Sequence, residues 1–124
     1  MINRVNSSVL IFLTTFPLIC LSQAKEVKCK IEINTYEHAI FKGDCLIHIV
    51  QDGTFTLWKK ESSKPNPILG EMSTLTVFVT EKNQALVSGM TNEGIQNSWG
   101  SATRSNSEPG CWIGQNFEIC AWRK

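Results

Sequence analysis

The feature that most restricts this chain is the pair of cysteines in Gly110 to Trp122, GCWIGQNFEICAW, placed symmetrically about a central Gln115-Asn116. If CWIG and FEIC pair across a two-residue turn, Ile113 faces Glu118, Trp112 faces Ile119 and Cys111 faces Cys120. Counting outward from the turn puts the cysteines in a non-hydrogen-bonded pair, where side chains approach most closely, at a Cα spacing of ~4.5 Å. That lies at the short end of disulfide geometry. A three-residue loop would take the cysteines out of opposition, so the bond locks the register. Both positions of a two-residue turn prefer positive φ, which Gln-Asn supplies poorly, and a four-residue loop with the same register is the alternative. The register puts Trp112, Phe117, Ile119 and Ala121 on one face, with Cys111, Glu118, Cys120 and Trp122 on the other. The hairpin therefore packs on a core through Trp112.

The amino-terminus explains why disulfides are expected. MINRVNSSVLIFLTTFPLICLSQA has one early arginine, an apolar run from Val9 to Leu21 and small residues before Lys25. It reads as a secretory signal peptide over residues 1–24. The run falls short of the ~20 apolar residues that span a bilayer, so no membrane anchor is expected after cleavage. Residues 25–124 then form a single domain. Of five cysteines, Cys20 belongs to the leader, which leaves Cys29, Cys45, Cys111 and Cys120. An even count in an exported chain implies two disulfides, and in so small a domain they supply much of the stability. With Cys111 joined to Cys120, Cys29 is left for Cys45, although the count alone also allows the two crossed connectivities. Outside the leader, 11 Lys and Arg balance 11 Asp and Glu, which argues against a nucleic-acid partner.

The remaining patterns are those of strands. VKCKIEIN alternates, with Val27, Cys29, Ile31 and Ile33 on one side. A turn is expected at KGD, 42–44, followed by a strand from Cys45 to Val50. The Asp52-Gly53 pair signals a hairpin into TFTLWKK, in which Phe55 and Leu57 alternate with Thr56 and Trp58. ESSKPNPILG, 61–70, reads as a loop, and TLTVFVT, 74–80, as a central strand turned back by EKNQ, 81–84, into ALVSG. The segment 91–110, rich in Gly, Ser and Asn, is expected to hold a short strand around Gln96 to Trp99 or an ordered functional loop. Outside the leader no helical periodicity of about ten or more residues appears. The fold class is all-β, a small single-domain antiparallel sheet of six or seven strands, sandwich or barrel-like.

At CKIEIN (29–34), GDC (43–45), WGSATR (99–104), GCW (110–112) and ICAWR (119–123) the chain resembles a family of small, mostly uncharacterised exported bacterial proteins ending in a cysteine-tryptophan hairpin. The resemblance implies export to the periplasm or beyond and an all-β, two-disulfide domain. It carries no activity. The family tends to have an acidic, glycine-rich turn and histidines in its second half, whereas here 81–84 is EKNQ and the histidines are His38 and His48.

Chemistry is sparse. With the cysteines oxidised, two histidines ten residues apart do not make a zinc or copper site, and no cofactor is expected. There is no Gly-x-Ser-x-Gly elbow, and Glu118 lacks a nameable carboxylate partner. A non-enzymatic protein is expected. Trp58, Trp99, Trp112 and Trp122 are many for this length. Trp112 reads as core. Trp99 and Arg104 lie in the irregular segment and are candidates for a recognition surface, with Trp58 and Trp122 beside them as further candidates; Trp99 as a plug for one end of the domain is the competing reading. The expected function is binding: an inhibitor or immunity protein against a cell-wall hydrolase or toxin, or else a module for cell-wall glycan or peptidoglycan. A small hydrolase ranks behind both.

Overall fold

The computed structural model describes residues 24–60 and 67–124; the leader lies outside the described residues. Eight antiparallel strands close into a barrel: β1 (Lys25–Ile33), β2 (Ala39–Ile49), β3 (Phe55–Lys59), β4 (Met72–Glu81), β5 (Gln84–Thr91), β6 (Gln96–Arg104), β7 (Cys111–Gly114) and β8 (Phe117–Arg123). Each strand pairs with the next, and β1 closes the ring on β8 with Ile31 opposite Ile119. Closure leaves no edge strand open for pairing with another chain. The count exceeds the expected six or seven because the Ser- and Asn-rich stretch supplies a full strand, β6, and no long loop. Among the described residues no helix is long and apolar enough to cross a membrane.

The alternation in the sequence becomes the inside and outside of the barrel. Ile31, Leu57, Leu75, Val77, Val87 and Ile119 point inward and are almost fully buried. Burying an aliphatic side chain of this size contributes ~1.5–3 kcal/mol. The connection from β3 to β4 adds a plug, because Ile68 is buried and donates its N–H to the Met72 carbonyl at 2.7 Å.

Both disulfides form, Cys29 to Cys45 and Cys111 to Cys120. They sit on opposite sides of the wall. Cys29 faces Gly43, and Cys45 faces Val27, so the first bridge runs diagonally inside the barrel with its Cα atoms 5.9 Å apart. The second lies on the outer face, where Cys111 opposes Cys120 directly at 4.0 Å. Cys111 donates its N–H to Glu108 and its carbonyl accepts from Ser105, while Ala121 donates to Gly110. No backbone bond joins the two cysteines, as a non-hydrogen-bonded pair requires. Gln115 and Asn116 alone lie between the two strands, and the pairing runs from Cys111 and Cys120 to Ile113 and Glu118.

One turn is displaced from its expected place. KGD lies within β2, where Lys42 pairs with Lys30 and Asp44 with Lys28. The hairpin turns instead at 34–38, where the Thr35 hydroxyl bonds both the Glu37 N–H and the Glu37 carbonyl. Gly43 serves packing: a Cβ there would stand 3.1 Å from the Phe41 ring.

Candidate functional site

The four candidate recognition residues occupy four separate places. Trp99 is the extra residue of a bulge in β6: Val87 pairs with Gly100 and Ser88 with Ser98, which leaves Trp99 unopposed. Strict alternation from inward-facing Ala102 would send Trp99 outward. The bulge, with Gly100 at φ 105°, turns it toward the barrel end instead. There its ring meets Phe117 edge-on, with centroids 5.5 Å apart, and packs against the core. Trp99, Phe117, Ile33 and Met72 line an apolar recess of about 230 Å³, with Thr35 and Asn116 at its margin.

Arg104 lies at the other end of β6. Its guanidinium sits 4.6 Å over the Trp112 ring and donates to the Pro109 carbonyl at 3.1 Å. Trp112 is only 3% exposed, as expected of a core residue. Trp58 is on the outer wall of β3, half-buried and opposite Leu46. Trp122 is outward on β8, opposite Lys28 and against Gly110, where a Cβ would come within 2.7 Å of the Ala121 carbonyl and 3.1 Å of the indole. Trp99 and Arg104 therefore do not form one surface.

Two surfaces that sequence reasoning missed emerge from strand order. Ion pairs gather on the wall made by β8, β1 and β2. Lys30 pairs with Glu118 at 3.1 Å and Glu32 at 3.7 Å, Lys28 with Asp44 at 3.0 Å, and His38 with Glu32 at 2.8 Å. Glu26 takes both Lys60 and Lys124. Hydrogen bonds from these side chains hold the carboxyls below their ordinary range: Lys60 and then Lys124 for Glu26, His38 for Glu32, Lys28 for Asp44. Glu26, and Asp44 beside it, in turn favour the charged form of Lys124 and raise its pKa. Glu118, bound to Lys30, is a structural ion-pair member. Glu118 also lies near the sulfurs of Cys111 and Cys120, but these are bonded to each other and are not available as metal ligands.

No family model, curated protein or solved structure matches the chain.

The opposite wall is different in kind. Its outward positions are Thr56 and Trp58 on β3, Thr74, Thr76, Phe78 and Thr80 on β4, Leu86 and Ser88 on β5, Ser101 and Thr103 on β6, and Ile113 on β7. None is charged; Glu81 and Lys82 sit at a hairpin tip. Phe78 and Leu86 are directly paired across β4 and β5 and are 54% and 52% exposed, and Ile113 is 45% exposed. In the sequence these residues look like ordinary alternation members. The strand-to-strand register gathers the uncharged ones on one side.

Proposed function

We propose that the protein is an exported, non-enzymatic binding protein that grips a protein partner with the uncharged wall of the barrel. The observation that carries this is the segregation of charge, with paired Phe78 and Leu86 exposed at the centre of a wall of Ser and Thr. Interface cores are depleted of charge and enriched in aromatic side chains, and a contiguous exposed apolar patch on a small protein marks an interaction site. The wall belongs to a closed sheet whose two disulfides, on β1–β2 and β7–β8, fasten the strands on either side of it, so little conformational entropy is lost on binding. The disulfides are also consistent with an oxidising compartment, the periplasm or the exterior. An inhibitor or immunity protein acting on a cell-wall hydrolase or toxin fits that size and location.

The test uses oxidised mature protein as bait for the producing cell's envelope and culture fluid. A protein retained by the native chain and lost with Leu86→Lys, at an unchanged melting temperature, supports the reading. Equal retention by Leu86→Lys overturns it. A second reading, a glycan-binding module, is favoured by one observation: Trp122 is exposed at the rim of a cleft of about 510 Å³ on the charged wall.

A further inference from the structure

We infer that this cleft is a subsite for a sugar that carries a single carboxylate, recognised by the Trp122 ring and the Lys42 ammonium. The inference rests on the glycan reading and is independent of the uncharged wall. Strand register builds the cleft. One row across β8, β1 and β2 is Trp122, Lys28 and Asp44, and the next is Cys120, Lys30 and Lys42. Trp122, Lys28, Lys30 and Lys42 line it, with Cys29 and Gly43 contributing to its floor. Its volume falls in the ~300–1,000 Å³ range of small-ligand sites.

The charge state of the three lysines sets the ligand class. Lys28 is neutralised by Asp44, and Lys30 by Glu118 and Glu32. Lys42 is exposed and has no ion-pair partner among the described residues. One cation is therefore open to an incoming anion, while Asp44, Glu32 and Glu118 repel a ligand of high negative charge density. An acidic peptide or a polyphosphate is disfavoured on that ground. A sugar chain with one carboxylate per two rings matches it: the aromatic ring of Trp122 offers an apolar face to a sugar, and Lys42 a charge-assisted hydrogen bond to the acid. The disulfide that fixes β8 beside β7 keeps Trp122 in place against Gly110.

Titration calorimetry at low salt with three probes tests this: a hyaluronan hexasaccharide, which alternates glucuronate with N-acetylglucosamine; chitohexaose, its neutral counterpart; and hexaglutamate. The expected result is binding of the hyaluronan fragment, weaker binding of chitohexaose and none of hexaglutamate. Lys42→Gln, a change at an exposed position, should weaken the hyaluronan fragment about tenfold and leave chitohexaose unchanged. Trp122→Phe should weaken both sugars. Equal binding of both sugars, unaffected by Lys42→Gln, overturns the carboxylate inference while leaving a glycan module standing. Failure of both sugars to bind at millimolar concentration overturns both, and hexaglutamate binding stronger than either sugar replaces the sugar with an acidic peptide.

Discussion

The Arg104 guanidinium lies 4.6 Å over the Trp112 ring and is tied to the Pro109 carbonyl, so it closes the end of the barrel at which β6 finishes and β7 begins. The arginine thereby links the core tryptophan to the 105–110 loop that leads into the disulfide hairpin. Arg104→Ala is expected to destabilise the protein by ~0.5–1 kcal/mol, the range of an exposed cation–π contact. Urea denaturation with an unchanged m-value reads this directly. Undiminished stability together with lost partner binding would return Arg104 to the role of a recognition residue.

The two disulfides differ in what their loss exposes. Each closes a short loop, and the chain-entropy model gives each ~3 kcal/mol. All four cysteines are buried, but Cys111 and Cys120 lie on the outer face beside the Glu118 carboxylate, 3.7 Å from the Cys120 sulfur, so a serine hydroxyl there has an acceptor. Cys29 and Cys45 are inside, and two buried hydroxyls without designed partners add a desolvation cost of ~1–3 kcal/mol each. The Cys29→Ser/Cys45→Ser variant should therefore melt well below Cys111→Ser/Cys120→Ser. Equal melting temperatures would show that the interior site accommodates hydroxyls as readily as the outer face beside Glu118 does.

How far the sequence reveals this fold depends on whether its signals are local. Cys111 opposite Cys120 follows from counting away from Gln115-Asn116, and Gly53, at φ 93°, takes the turn that Asp-Gly announces. Gly43 misleads because a glycine that makes room for a ring looks the same as a glycine that turns a chain. The true turn, Asn34 to His38, has no Gly or Pro and is made by the Thr35 hydroxyl, a weak signal. The aim of Trp99 depends on a bulge between Val87 and Ser88, and a single extra residue reverses which face a side chain occupies. The uncharged wall and the Lys42 cleft are still less visible, because they are sums over strands: the register of β3 to β7 assembles the wall, and closure of β8 on β1 brings Trp122 beside Lys28.

Phe117 lies over Gly114, where a Cβ would stand 2.2 Å from two ring carbons. Gly114→Ala must push the Phe117 ring out of the barrel end, at a cost of ~1–3 kcal/mol typical of overpacking. Trp99 packs edge-on to that ring, so its surroundings should change with it. The variant is expected to show a lower melting temperature and a shifted tryptophan emission spectrum, and the emission shift should vanish in a Trp99→Phe background. A destabilised variant with unaltered emission would mean that Phe117 moves without disturbing Trp99.

Acid should weaken the barrel through the charged wall, and the sign follows from the depressed carboxyls. Glu26 and Glu32 titrate below their ordinary value of 4.5, and Asp44 below 3.8. The Thr54 N–H lowers Asp52 in the same direction. A carboxyl depressed in the folded state stabilises above its unfolded pKa, and that contribution is lost as pH falls through the folded value. Stability should hold from pH 7 to about 5 and fall below about pH 4.5. Lys124, raised by Glu26, acts at the other extreme: its contribution is present below its unfolded pKa and is lost as pH rises through the folded one, above its ordinary 10.5. All these groups are solvent-accessible, so added salt should flatten the acid limb. Glu26→Gln should flatten it too, because Glu26 holds both Lys60 and Lys124. Melting temperatures from pH 7 to pH 3, at low and high salt, check all of this. A curve that falls equally steeply in Glu26→Gln would place the acid sensitivity on the other carboxyls of the wall.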